Sequence, residues 1–211
     1  IPLRLVGSEM CIRDRSNKVS VITGGNGGIG LGIAEGLASS GGNVAILGRN
    51  EEKNKLAKSS LDKYGTKIET YKIDVSEESQ VKDIIGGVVN DFGRIDSVFA
   101  NAGINVYGGS FEEMDTDVYR KVLSVNLDGV FFTLRESCKH MVERAKNGDP
   151  GGSLIGVASL AGIEGAAKTQ PYSASKGGVV AMIKGITVEH ARYGIRANTI
   201  VPGWIATDMT C

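Results

Sequence analysis

Cysteine is scarce in this chain, with three residues, at positions 11, 138 and 211. Their spacing fits neither a disulfide framework nor a metal site, so a reducing cytoplasm is the expected setting. Histidine is scarcer still: His140 and His190 are the whole complement. Both fall in helical patterns and match no motif, and no cluster of His, Cys, Asp or Glu suggests a metal. An excess of one charge is also missing. Lys plus Arg and Asp plus Glu number 24 each, for a formal net charge of zero, and no basic block stands out. That balance argues against nucleic acid or an anionic membrane as a partner. No apolar run reaches membrane-spanning length, and the start shows no secretory pattern. No internal repeat, low-complexity tract or linker follows residue 16.

Glycine, by contrast, is abundant, at 30 residues, many of them clustered in short loops between apolar runs. That distribution suggests backbone packed close to a ligand. Apolar residues make up 41% and charged residues 23%, ordinary values for a globular protein. The length of 211 residues suffices for one α/β domain with a sizeable core. Cys138 falls in a helical pattern and is expected to pack as a small apolar residue.

The two ends stand apart from this composition. Leu5–Asp14 follow no helix or strand period and read like the in-frame translation of a transposon-end sequencing adapter; a natural disordered leader is the alternative. Residues 1–15 are therefore expected to be a non-native leader, and 16–211 a single dinucleotide-binding catalytic domain.

From Lys18 onward apolar runs alternate with helical patterns. Strands are expected at Val19–Thr23, Val44–Leu47, Lys67–Ile73, Ile95–Ala100, Ser153–Ala158 and Arg196–Val201. Helical spacing covers Ile29–Ser39, Glu51–Tyr64, Glu77–Phe92, roughly Asp117–Lys146, and Tyr172–Tyr193. Such alternation implies right-handed βαβ crossovers and a Rossmann-like, doubly wound parallel sheet of about six strands, with helices on both faces.

Thr23-Gly24-Gly25-Asn26-Gly27-Gly28-Ile29-Gly30 lies between the first strand and the first helix. Glycines there permit a tight turn and let backbone reach a pyrophosphate, and the helix N-terminus adds N–H donors. The second strand ends Leu47-Gly48-Arg49-Asn50. An acid at that end would bond the adenosine ribose 2′-hydroxyl and repel a 2′-phosphate. Here glycine stands in its place, and Arg49 beside it suits a 2′-phosphate. NADP(H) is therefore expected in preference to NAD(H), with NAD(H) still possible. Tyr172 and Lys176 are four residues apart, so one helix face presents both. Free tyrosine titrates near pH 10, and a neighbouring ammonium favours the phenolate. Ser159 follows the fifth strand, thirteen residues before Tyr172. The loop, Asn101, Ser159 and Tyr172 all fall at the C-terminal edge of the sheet, where ligands bind.

The spacing Thr-Gly-x-x-x-Gly-x-Gly, joined by Tyr-x-x-x-Lys, resembles the short-chain dehydrogenase/reductase family from about Lys18 to the end. The resemblance implies a serine-tyrosine-lysine site at Ser159, Tyr172 and Lys176, with Asn126 holding a water beside the lysine. It also implies direct hydride transfer between NADP(H) and a carbonyl or secondary alcohol, with Tyr172 as general acid/base and Ser159 steadying the oxygen. Cofactor contacts are implied at Thr23, Gly24, Asn26, Gly28, Ile29, Gly30 and Arg49, and from Tyr172 and Lys176 themselves. Asp74, followed by Val75, would bond the adenine amino group or cap the next helix. Asn101-Ala102-Gly103 would line the cofactor and steady the sheet. After the sixth strand, Pro202, Gly203, Ile205 and Thr207 would hold the nicotinamide carboxamide, while Trp204 is either part of this wall or a core aromatic. The family continues past this turn with a lid, a helix and a last strand. The chain is thus expected to be truncated, with an open edge prone to pairing and weakened activity, the function belonging to the full-length parent. A dimer or tetramer built on the long helix and the Tyr172 helix is implied. Residues 104–110 and 160–170, Val106, Leu160 and Ile163 among them, are expected to form a mostly apolar substrate pocket together with the lid. A 3-oxoacyl-carrier-protein reductase-like activity is favoured. An NAD-dependent alcohol dehydrogenase, a non-catalytic dinucleotide sensor and a Rossmann-like methyltransferase are the competing readings.

Overall fold

Strand β1 (Val19–Thr23) is buried along its whole length, which suits a central parallel strand with helices on both faces. The computed structural model describes residues 15–106 and 109–207. The adapter-like stretch, Cys11 and Cys211 lie outside the described residues. In chain order β1 is followed by α1 (Gly28–Ser39), β2 (Asn43–Gly48), α2 (Glu51–Leu61), β3 (Ile68–Lys72), α3 (Glu78–Phe92) and β4 (Ser97–Ala100). Then come α4 (Thr116–Leu123), a π-helical segment Ser124–Asp128, α5 (Gly129–Lys146), β5 (Gly152–Val157), a one-turn helix α6 (Ala161–Glu164), α7 (Gln170–His190) and β6 (Ile195–Ile200). All six strands are parallel, in the order β3-β2-β1-β4-β5-β6. This is the doubly wound Rossmann-like arrangement expected from the alternation of apolar runs.

The two faces of the sheet are written in strand residues that alternate. Val21, Ala45, Leu47 and Val98 point to one core with α3, α5 and α7. Ile22, Val44 and Ile46 point to the other, against Ala34 and Leu37 of α1 and Ala57 and Leu61 of α2. Cys138 is buried in the first core as expected, and burial raises its thiol to about 11, aided by the charge of Glu189. Local signals place the helices. Asn50 caps α2 by accepting from Lys53 N at 2.9 Å, and Gly93 ends α3 in the left-handed region at φ 80°.

One expected element differs. The helix read through Asp117–Lys146 is divided at Ser124–Asp128, where the chain takes π-helical turns. Apolar spacing carries across such a turn, so the interruption leaves no mark on the pattern.

At the edge opposite the strand C-termini, Asp96 gathers the starts of β1, β4 and β5. Its carboxylate accepts two bonds from Arg94, at 2.9 and 2.7 Å, and one from Val19 N at 2.9 Å. Its backbone bonds Val19 O and Ser153 N. Burial works to raise its pKa. The bonds from Arg94 and Val19 and the charges of Arg94 and Lys18 outweigh burial and hold it below the usual aspartate value. A lowered folded pKa contributes stability that is complete above the unfolded value and is lost as pH falls through the folded one. Asp96→Asn should therefore lower the unfolding free energy at neutral pH by about 1–3 kcal/mol. Urea midpoints measured from about pH 5 to pH 2 should fall less steeply in the variant than in the wild type. Parallel acid limbs in the two proteins would contradict this role.

Candidate active site

The loops after the strand C-termini surround a cavity of about 620 Å³. At its floor, the ends of β1 and β4 are sewn together. Thr23 Oγ1 accepts from Asn101 N and Ala102 N, both at 3.0 Å, and Asn101 Nδ2 donates to Thr23 O at 3.0 Å and Gly24 O at 3.2 Å. Gly24 turns the chain at φ 64°. Gly30, one turn into α1, faces it so closely that a Cβ there would overlap the Gly24 carbonyl. The N-terminus of α1 is thereby drawn to the crevice, with Gly28 and Ile29 on its wall and helix N–H groups at its mouth. Thr23 and Gly30 themselves sit beneath the wall, as structural supports of the loop.

Gly48, Arg49, Asp74 and Val75 line one end of the cavity, together with Asn26. Arg49 Nη1 stands 3.9 Å from Asp74 Oδ2. Asp74 Oδ1 accepts from Ser76 N at 3.0 Å and Ser76 Oγ at 2.7 Å, a turn that precedes α3 and does not cap it. Burial works to raise the Asp74 pKa, but the Ser76 bonds and the charges of Arg49 and Lys121 hold it below the ordinary value.

Ser159, Tyr172 and Lys176 meet at the other end. Lys176 is 3% exposed, its Nζ donates to Val157 O at 2.8 Å, and it lies 5.6 Å from the centre of the Tyr172 ring. Burial pushes its pKa down to about 8. Ser159 Oγ accepts from Ala161 N at 3.2 Å. Asn126 is fully buried in the π-helical segment, and its side chain does not line the cavity. Its amide clamps Ile104, accepting from N at 2.8 Å and donating to O at 2.9 Å. It also donates to Ser175 Oγ at 3.3 Å, and that hydroxyl bonds Tyr172 O at 2.7 Å. Gly103 packs between Asn126 and Lys176: a Cβ there would stand 3.3 Å from each side chain. Pro202, Gly203, Ile205 and Thr207 form the facing wall. Trp204 is 85% exposed and so is no core aromatic.

Of the residues expected around the substrate, Ile104 joins the lining of this crevice, Leu160 and Ile163 are exposed around α6 beside it, and positions 107 and 108 lie outside the described residues. That segment forms a helical turn, which carries these side chains out to solvent. Neither His140 nor His190 reaches the cavity, and the described residues contain no metal-binding cluster. No helix among them is long and apolar enough to cross a membrane.

Two residues escaped the sequence reading. Asn54 holds the Asn26 amide from behind. Gly162 of α6 lies against α7, where a Cβ would stand 2.7 Å from Gly177 N and from Lys176 C. The signal for Asn54 was an amide on the buried stripe of α2, with Ala57 and Leu61. Nothing in the sequence marks Gly162 among 30 glycines.

A family model described as short chain dehydrogenase matches residues 18–211. The chain is 35% identical over 193 residues to a 3-oxoacyl-[acyl-carrier-protein] reductase of Chlamydia pneumoniae, covering 92% of this chain and 75% of that protein. It superposes on the crystal structure of levodione reductase with a TM-score of 0.88 at 35% identity, over 92% of this chain and 74% of that one. For an NAD+-bound xylitol dehydrogenase the TM-score is 0.86 at 33% identity, over 90% and 71% of the two chains. The chain belongs to the short-chain dehydrogenase family, whose members bind nicotinamide dinucleotides, and is an oxidoreductase acting on alcohol and ketone groups.

The contact of Gly162 with α7 sets the distance between the Ser159 loop and the helix that carries Tyr172 and Lys176. Gly162→Ala should lower kcat by about 100-fold, the scale of an ångström-sized misplacement. Dinucleotide affinity, measured by fluorescence titration, should stay nearly unchanged. Unchanged kcat would contradict the spacing role.

Proposed function

We propose that the crevice takes NADP(H) in preference to NAD(H) and that Tyr172 exchanges the proton of a carbonyl–alcohol interconversion. The observation that carries this reading is a buried ammonium, Lys176, one helical turn from Tyr172, with Ser159 in the same cavity. A buried cation without a charge partner is costly, so its retention beside a tyrosine points to a use in chemistry.

The residues fit a dinucleotide. The close packing of Gly30 against Gly24 draws the α1 N-terminus to the crevice, where it offers donors to a pyrophosphate. Arg49, with no acid at position 48, suits a 2′-phosphate. Asp74, Val75 and Asn101–Gly103 would flank the adenosine and ribose, and Pro202, Gly203, Ile205 and Thr207 the nicotinamide. When bound, the nicotinamide ring supplies or accepts the hydride.

The chain's own side chains do the rest. The Tyr172 hydroxyl gives its proton to the carbonyl oxygen as that oxygen gains charge. Ser159 donates a hydrogen bond to the same oxygen. The Lys176 charge stabilises the phenolate left behind. Asn126 keeps Ile104 and, through Ser175, Tyr172 in place. In oxidation the same groups act in reverse.

A second reading, an NAD-dependent alcohol dehydrogenase, is favoured by one observation: Arg49 faces Asp74, which would compete with a phosphate for its charge. The name of the Chlamydia relative supports a 3-oxoacyl-type substrate. Exposed Phe131 on α5 and Val188 on α7 support assembly as a homo-oligomer through these helices.

Titration of protein fluorescence should give a Kd for NADPH about tenfold or more below that for NADH, as a charge-assisted pair to a 2′-phosphate requires. The reverse order would overturn the NADP preference and favour the second reading. Tyr172→Phe should lower turnover by at least about 100-fold and leave NADPH binding nearly intact. Retained turnover would remove Tyr172 from the chemistry.

A further inference from the structure

Asn54 lies on α2, 3% exposed and outside the cavity wall. A buried amide needs partners, and this one joins three parts of the fold. Its Nδ2 donates to Gly48 O at 3.0 Å, at the end of β2, and to Tyr71 O at 3.3 Å, on β3. With its nitrogen turned to two carbonyls, Oδ1 must face the other way. There it accepts from Asn26 Nδ2 of the glycine-rich loop at 2.6 Å. The orientation of Asn54 thus dictates that of Asn26, which presents its amide nitrogen beside Gly48.

The consequence falls on position 48. A Cβ there would collide with Asn26 Nδ2 and stand 2.6 Å from Asn54 Oδ1. This is the strand end at which an acid would accept from an adenosine ribose 2′-hydroxyl. Here that volume is filled by an amide fixed from behind. Amide nitrogen carries two hydrogens, so Asn26 retains a second N–H on a residue that lines the cavity with Arg49. Acceptors are replaced by donors at one point.

We infer that Asn54 is a positioning residue for cofactor choice: it holds the Asn26 amide in the space an acidic residue 48 would occupy, so that the 2′ position of the adenosine ribose meets donors and not a carboxylate. The inference rests on the proposed dinucleotide binding and deepens its NADP preference. It also explains why glycine at 48 is more than a missing acid. The position is closed to any side chain while the Asn26–Asn54 pair stands.

A double-mutant cycle on affinity tests it, using wild type, Asn54→Ala, Gly48→Asp and the double variant, each titrated with NADPH and with NADH. Asn54→Ala should weaken NADPH by about tenfold and NADH by less than about twofold, so the ratio of the two constants falls. Gly48→Asp alone should weaken both cofactors. In the double variant NADH should bind about tenfold tighter than in Gly48→Asp, because release of the amide admits the carboxylate. A general loosening of the fold would weaken both cofactors alike and leave the ratio unmoved. That result, with an equal effect of Gly48→Asp in the presence and absence of Asn54, would overturn the inference. A wild type that prefers NADH would overturn the NADP preference alone, since the coupling of positions 48 and 54 is read on NADH. Melting curves accompany each variant. Asn54→Ser, shorter and still polar, replaces the alanine variant if that one does not fold.

Discussion

At the switch point of the sheet, β1 has β2 on one side and β4 on the other, and the connections beyond leave in opposite directions. That divergence opens a crevice, and without a tie the two loops bordering it would have no fixed distance. Thr23 and Asn101 supply the tie through four hydrogen bonds. Two of them end on the Thr23 hydroxyl and two begin at the Asn101 amide, so each side chain answers main-chain groups of the opposite strand. The glycine turn hangs on this seam. Gly24 can present its carbonyl to Asn101 only because Gly30 leaves room behind it. The position of α1, and with it the donor-rich helix end, follows from the seam.

A second set of contacts carries the other end of the crevice. Lys176 is buried under the cavity with its ammonium on the Val157 carbonyl. Burial that lowers its pKa to about 8 disfavours the charged form, so at neutral pH the fold holds a destabilised group. The surroundings are correspondingly rigid. Asn126 reaches both the Ile104 backbone and Ser175, and Gly162 lets α6 rest on the backbone of α7. The π-helical turn that offers Asn126 departs from ideal helix geometry beside the cluster of Ser159, Tyr172 and Lys176, and such departures are frequent at functional sites. Stability is supplied elsewhere, by the two apolar cores and by the Asp96 network at the far edge of the sheet.

Much of this was legible in the sequence because two periods overlap in it. Buried parallel strands such as Val19–Thr23 appear as short apolar runs, and the helices between them repeat at helical spacing, so strand number and fold class followed directly. Tyr172 and Lys176 were legible because a spacing of four puts them on one helix face. Contacts between distant backbones were not. Gly162 and Gly177 meet through space, and neither differs in sequence from a loop or helix glycine. The π-helical turn at Asn126 keeps the apolar pattern and hides the change of pitch. Apolar character alone does not show that Leu160 and Ile163 are exposed around the helical turn of α6. Arg49 was legible as a cation and its neighbour Asp74 as an acid, but not that the two face each other.

Every proposed role above depends on the crevice being a dinucleotide site that runs from Arg49 to Tyr172. A crystal structure of the chain with NADPH tests it most directly. The 2′-phosphate is expected at Arg49 and Asn26, the pyrophosphate at the α1 N-terminus, and the nicotinamide ribose beside Tyr172 and Lys176. Cofactor bound elsewhere, or with its nicotinamide at the Arg49 end, would contradict it.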